Sequence, residues 1–220
     1  METSRPLLYI LGAGGHCLQA VDAARLAGWR VASLFDDAKT GSWGGVEILG
    51  PLSAVSGLEG LPSLHCAVGD NAARQSIYQR FPHNPWPNCS HPQSFFSPMA
   101  TAGEGNYFGG GCRVLAGASV GCGNIFNEGC LATHECVLGD FNHLAPGSCL
   151  GGWVRLGDRN LIGLNSTLLP RTCLGSDNVV GAGAVVLRGG SDRDPPSRST
   201  LVGNPARLVP GGGKWIPSDW

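Results

Sequence analysis

The chain has 220 residues, 42% of them apolar, and a formal net charge of −1. That is enough for one large folded unit or two small ones, and 35 glycines beside only 14% charged residues indicate closely packed β structure rather than disorder. No basic run is long enough to grip nucleic acid or an acidic membrane surface, and no apolar stretch reaches the length of a transmembrane helix.

The N-terminal "METSRPLLYILGAGG" has a short apolar run that flows into a glycine turn rather than a cleavage site, so no signal peptide is expected. Nine scattered cysteines without a C-x-x-C pair read as reduced thiols of a cytoplasmic protein, packed as small hydrophobes, with no zinc site. "LLYIL" (7–11) reads as a buried strand, "GAGGHC" as a turn and "LQAVDAARLAGW" as a helix ending near Gly28. "VASLF" (31–35) is a second strand closing on Asp36 and Asp37, "LHCAV" (64–68) a third, and "AARQSIYQRF" a helix. Strand and helix alternate, which predicts a small parallel α/β domain. Gly12, Gly14 and Gly15 sit between strand and helix, where backbone N–H groups and the helix dipole hold phosphate. Asp36 lies twenty-two residues beyond Gly14, at the spacing of a ribose-binding acid. Cys17 replaces the last glycine of the full dinucleotide fingerprint. A tight turn beside an acidic loop is the plain alternative to nucleotide binding, and NAD is disfavoured because the domain is short.

"HNPWPNCSHPQSFFSPMAT" is rich in Pro, Ser and Asn and marks the break, with a first domain over 1–90 and a second over 91–220. From Ala102 to Val186 an apolar residue returns every sixth position without a miss. A period of eighteen lies on top: Asn106, Asn124, Asn142, Asn160 and Asn178 close "AGEGN", "VGCGN", "LGDFN", "LGDRN" and "LGSDN". Neither an α-helix nor a hairpin has a period of six, whereas a β-helix of hexads does, with three hexads to a triangular coil. Gly and Asn are expected at the corners, where φ is positive. "SDRDPPSRST" reads as a loop, "LVGNPARLV" as an ordered return, and "VPGGGKWIPSDW" has no account.

"THEC" places His134 beside Glu135 in this tract, and His143 follows nine residues later. Two readings stand: solvated side chains on the wall of the β-helix, or chemistry. A neutral His suits proton removal near neutral pH, and a carboxylate on its other nitrogen fixes the tautomer. Successive strand side chains point to opposite faces, so the pairing needs a corner at this point.

Taken together, "YILGAGGH", "LFDD", "AVGDNAAR", "HPQSFFSP", "THECVLGDFNHLAPG", "IGLNSTLLP" and "LVGNPAR" resemble the bacterial UDP-amino-sugar N-acetyltransferases of the bacillosamine pathway and the related sialic acid O-acetyltransferases. The resemblance implies a Rossmann-like N-terminal domain followed by a left-handed parallel β-helix of hexapeptide repeats. It further implies acetyl-CoA as co-substrate with no bound cofactor, a nucleotide-sugar acceptor, a homotrimer and a role in glycan biosynthesis. Carried over by position, it makes His134 the catalytic base with Glu135 beside it. His143, Leu164 and Ala182 become acetyl-CoA contacts. Gly12, Gly14, Gly15, His16, Asp36, Asp37 and Gly69 become nucleotide-sugar contacts. His65, His83 and His91 are left structural. Nine residues are half a coil, so His134 and His143 should leave opposite sides of one subunit, and a trimer would join them between neighbours. Alternatives of other classes are a sugar O-acetyltransferase, a non-catalytic nucleotide-sugar scaffold, and a β-helix carbonic anhydrase. The last needs three histidine ligands where the repeat offers two.

Overall fold

The computed structural model describes residues 5–187 and 197–209. Residues 191–196 of the expected loop and 210–220 of the C-terminal extension lie outside the described residues. The N-terminal unit runs β1 (Leu7–Leu11), α1 (Gly15–Leu26), β2 (Arg30–Phe35), β3 (Gly41–Trp43), β4 (Val46–Gly50), β5 (Leu64–Cys66) and α2 (Asn71–Arg80). Its sheet has the order β3-β4-β2-β1-β5. The three strands read from sequence pair in parallel, but the sheet is mixed rather than purely parallel, because β3 is antiparallel to β4. The hairpin joining them turns on Gly44 and Gly45, both at positive φ, as a two-glycine hairpin requires.

The second unit is a parallel β-helix with three faces, each a column of two-residue strands joined at a step of eighteen. The first face carries Tyr107–Phe108, Ile125–Phe126, His143–Leu144, Leu161–Ile162 and Val179–Val180. The second carries Arg113–Val114, Leu131–Ala132 and Cys149–Leu150, and the third Ser119–Val120, Val137–Leu138 and Arg155–Leu156. The hexad residues fill the prism: Val114, Phe126, Ala132, Leu144, Leu150, Ile162 and Leu168 are fully buried in one continuous core. Pairing reaches one coil further back than the apolar series, to Cys89–Ser90 and Phe95–Phe96, inside the segment read as the break. A serine at the core phase hid that coil, and a polar residue is tolerated there because an end coil has a neighbour on one side only.

Every sixth residue from Gly105 to Gly183 has positive φ, and this phase makes the corners. The asparagines do not sit there. They lie one residue later, fully buried, and form a ladder up the inside of one corner: Asn124 Nδ2 donates to Asn106 Oδ1 (3.1 Å), Asn142 to Asn124 (3.1 Å), Asn160 to Asn142 (2.9 Å) and Asn178 to Asn160 (2.9 Å). Each acceptor oxygen also takes the backbone N–H of the asparagine one coil on. Asn is therefore selected by buried hydrogen bonding rather than by tolerance of positive φ.

The N-terminal unit lies over the first face. Cys89, Tyr107 and Ile125 point outward from it and share a core with Leu8, Ile10, Cys17 and Ala20. Arg74 of α2, 1% exposed, locks the junction. It donates to Gly123 O (2.7 Å), Val68 O (2.9 Å), Gly69 O (3.1 Å), Asn71 Oδ1 (2.7 Å) and Phe141 O (2.8 Å). A sixth, longer bond reaches Asn142 O (3.3 Å); all six acceptors are neutral, and burial lowers the guanidinium pKa to about 10.

Candidate active site

His134 and Glu135 occupy the corner between the second and third faces. Glu135 has φ +57°, and this left-handed step turns its side chain back onto its neighbour. His134 Nδ1 and a Glu135 carboxylate oxygen are 3.4 Å apart, both side chains about half exposed. The corner needed for the pairing is thus present. One coil on, a Cβ at Gly152 would lie 2.5 Å from the His134 ring, so only glycine leaves the imidazole its place. Trp153 meets that ring edge-on at 4.4 Å, and the Arg171 guanidinium stacks on Trp153 at 4.5 Å. Trp153 and Arg171 follow Glu135 at steps of eighteen and share its positive φ. The column period of eighteen is the sequence signal for them.

His143 is on the first face, across the prism from the His134 corner, so the two histidines do not meet within one chain. Its Nδ1–H donates to Gly69 O (3.0 Å), and its Nε2 accepts from Asn127 Nδ2 (2.8 Å). A carbonyl on one side and an amide N–H on the other fix the tautomer. Burial, followed by the Arg74 charge, lowers the His143 pKa to about 4, so the ring is neutral. The structure brings Gly69, Arg74 and His143 together; Arg74 was not anticipated, although it closes the quoted "AVGDNAAR". Leu164 and Ala182 lie on the corner between the first and second faces, one coil apart, and Leu164 is exposed.

The glycine turn is built as a strand-to-helix junction. Gly12 takes φ +95°, and a Cβ there would strike Val68 at 2.6 Å. Gly14 and Gly15 face open space, and no side chain caps the start of α1. Lys39 Nζ donates to Ala13 O (2.6 Å) and lies 4.3 Å from the Trp43 ring, while the Trp43 indole N–H donates to Gly14 O (3.2 Å). Asp36 is occupied within the chain: its carboxylate accepts from the N–H groups of Ala13 (2.7 Å), Ala38 (2.9 Å) and Lys39 (2.8 Å). Desolvation raises its pKa, but these hydrogen bonds outweigh it and the net shift is downward. Asp37 accepts from Leu52 N–H (2.8 Å) and is exposed. His16 faces inward. Its Nδ1 pairs with Gln19 Oε1 (3.1 Å), its ring meets Tyr107 edge-on at 4.6 Å, and burial lowers its pKa to about 3.

Among the described residues no group of three or more His, Cys, Asp or Glu is placed to hold a metal ion, and no helix is long and apolar enough to cross a membrane. None of the nine cysteines is in a disulfide.

Residues 7–81 match the PglD N-terminal domain family. The whole chain is similar to the acetyltransferase domain of PglB from Neisseria gonorrhoeae FA1090, solved with acetyl coenzyme A. The two are 30% identical over 94% of this chain and 100% of that one, with a TM-score of 0.86. GDP-perosamine N-acetyltransferase from Caulobacter crescentus is 32% identical over 92% of this chain and 96% of that one, with a TM-score of 0.87; it was solved with CoA and GDP-perosamine and with one histidine replaced by alanine. An uncharacterized protein of Acanthamoeba polyphaga mimivirus is 38% identical over 110 residues, half of this chain, and the chain spans 22% of that protein's length.

Proposed function

The chain belongs to the left-handed β-helix, hexapeptide-repeat acetyltransferases that include the PglB acetyltransferase domain and GDP-perosamine N-acetyltransferase, and on that premise we propose that it transfers the acetyl group of acetyl-CoA to the amino group of a UDP-linked amino sugar. The observation that carries the reading is the exposed His134–Glu135 corner. One His134 nitrogen faces the Glu135 carboxylate, leaving Nε2 to take a proton from the incoming amine. As the amine nitrogen bonds to the thioester carbon, the carbon–sulfur bond breaks and the CoA thiolate leaves. Glu135 steadies the imidazolium that results.

In this reading the β-helix, 91–220, binds acetyl-CoA through His143, Leu164 and Ala182. The N-terminal domain, 1–90, holds the nucleotide sugar at Gly12, Gly14, Gly15, His16, Asp36, Asp37 and Gly69. The diphosphate meets the uncapped start of α1, where Gly14 and Gly15 leave room and Lys39 supplies a cation. Because His134 and His143 lie on opposite sides of one chain, the complete site is shared between subunits of a homotrimer. The scarcity of cysteine patterning supports a cytoplasmic location, and nucleotide-sugar acetylation supports a role in glycan biosynthesis.

The test is an acetyl-CoA assay against UDP-, GDP- and dTDP-linked amino sugars and their hydroxyl counterparts. Transfer to an amine with UDP preferred is the expected result. Preference for GDP corrects the nucleotide, transfer to a hydroxyl replaces the amine acceptor, and no transfer to any member rejects the enzyme reading. Mixing His134→Ala with His143→Ala subunits should restore activity; failure despite proven subunit exchange and inactive parents rejects the shared site.

A further inference from the structure

An open cleft of about 380 Å³ lies between α1 and the first coils of the β-helix, apart from both the glycine turn and the His134 corner. Gln19 and Asp22 line it from α1; His91, Gln93, Tyr107 and Glu128 line it from the other side. Two carboxylates face it, and no lysine or arginine is among its lining residues. Glu128 is held on both oxygens. Gln19 Nε2 donates to Oε2 (2.9 Å) and the Tyr107 hydroxyl donates to Oε1 (3.1 Å). Gln19 is itself oriented by His16 Nδ1, so α1 and the β-helix jointly aim this carboxylate. It makes no ion pair among the described residues within hydrogen-bonding range. A carboxylate has about four lone-pair directions, and the two donors leave capacity for a ligand.

The position is as informative as the chemistry. Glu128 follows Asn127, whose amide holds His143 Nε2. Glu128 also stands in the corner column that runs at steps of eighteen from Gly110 through Pro146, Leu164 and Ala182. On the other wall, Gly15, Gln19 and Asp22 fall at i, i+4 and i+7, one face of α1. Gln19 and Asp22 therefore lie roughly 6–10 Å along the axis from the glycine turn. That is the span of a hexose. A diphosphate at Gly14 and Gly15 is repelled from two carboxylates further along, whereas a protonated amine on the sugar is drawn to them.

We propose that Glu128 binds the protonated amino group of the acceptor sugar and thereby selects amine over hydroxyl acceptors. This rests on the acetyl-transfer reading above and names the acceptor subsite within it. An ammonium offers three donors and a positive charge to a carboxylate already aimed at it, and a charge-assisted hydrogen bond is about twice as strong as a neutral one. A hydroxyl in the same place still donates to the charged oxygen, but it lacks the positive charge and offers one donor instead of three. The ammonium first releases one proton to solvent, which frees the nitrogen lone pair, and the base takes a second proton as the nitrogen attacks and the thiolate leaves, so Glu128 positions the acceptor and leaves the transfer step to other groups.

The test compares binding of GDP-perosamine and of a UDP-linked amino sugar with binding of the counterparts that carry a hydroxyl in place of the amine, by calorimetry at pH 7. Wild-type protein should bind the amine form of its preferred pair about tenfold more tightly than the hydroxyl form. Glu128→Gln should weaken the amine form by about tenfold and leave the hydroxyl form unchanged, while Glu128→Asp restores part of the preference. Equal weakening of both forms would make Glu128 a structural residue and overturn the proposal, as would no weakening of either. The wild-type preference decides the matter even where the variant fails to fold, since equal wild-type affinity for amine and hydroxyl leaves nothing for Glu128 to select. Wild-type protein that acetylates amines while Glu128→Gln keeps the preference sinks this subsite alone; wild-type protein that binds neither pair sinks the acceptor reading and this proposal with it.

Discussion

In the β-helix, Asn106, Asn124, Asn142, Asn160 and Asn178 solve one problem five times, each satisfying its neighbour a coil away. In the N-terminal unit and the junction beneath it, His16, His65, His143 and Arg74 are each solved once. Arg74 is held by six neutral oxygens, His143 is held between Gly69 and Asn127, and neither ring nitrogen of His65 has a hydrogen-bond partner among the described residues. Repetition makes the β-helix tolerant, because a lost contact has copies above and below. The junction has no copies, so its stability hangs on the protonation of single groups.

Acid should separate the two regions most strongly. His16, His65 and His143 have folded pKa values near 3, 4 and 4, below the ordinary 6.5, because burial penalises the charged ring. The unfolded chain therefore takes up protons first as pH falls below about 6.5. Stability that is complete above that pH is lost progressively towards pH 4, by about 1.4 kcal/mol per pH unit for each histidine. Hydrogen exchange between pH 7 and 5 should show β1, β5 and α2 opening before the asparagine ladder; uniform loss of protection breaks the contrast.

His134→Ala comes next. It should cut turnover by roughly 10²–10⁴-fold with acetyl-CoA affinity and melting temperature unchanged, because the corner touches nothing in the N-terminal unit. A variant with normal turnover in single-turnover measurements removes His134 as the base. Asn142→Leu tests the repeat itself. It strands the donors of Asn160 and removes the amide donor to Asn124 Oδ1 inside the prism, and a loss of roughly 2–4 kcal/mol is expected in denaturant titration. A much smaller loss would mean that the ladder heals around a gap. The smallest effect is expected at Gly152→Ala, where the new methyl displaces the His134 ring: kcat should fall about tenfold with KM for acetyl-CoA unchanged. Unaltered kcat would show that the ring's place is immaterial.

The β-helix was legible because a period of six has few physical explanations, and the count from Ala102 to Val186 does not miss. The role of its asparagines was not, because Asn suits both a positive-φ corner and a buried amide ladder, and composition does not separate the two. The phase does. Gly105, Gly111, Gly117, Gly123 and Gly129 lie three residues after the core positions, and the same step from Ala132 lands on Glu135. The corner under the His-Glu pair was therefore readable, and it was masked by a residue type that seldom takes positive φ. In the N-terminal unit the strand–glycine–helix order gave the parallel core, whereas the hairpin at Gly44–Gly45 was passed over among polar residues. Arg74 and Glu128 were invisible for another reason. Their partners are 49 and 109 residues away, at Gly123 and Gln19, and no local pattern announces them.

The step of eighteen also governs how such a chain can change length. One residue added within a coil would rotate every later core side chain out of the prism and break each amide rung beyond it. Eighteen residues removed between equivalent corners would return every survivor to an equivalent place and shorten the stack by one strand spacing, about 4.8 Å. Point substitutions at the outward corners cost little by comparison, which leaves those columns free to be rewritten for new acceptors. Families built this way should therefore diverge in rung number and corner side chains long before they diverge in backbone.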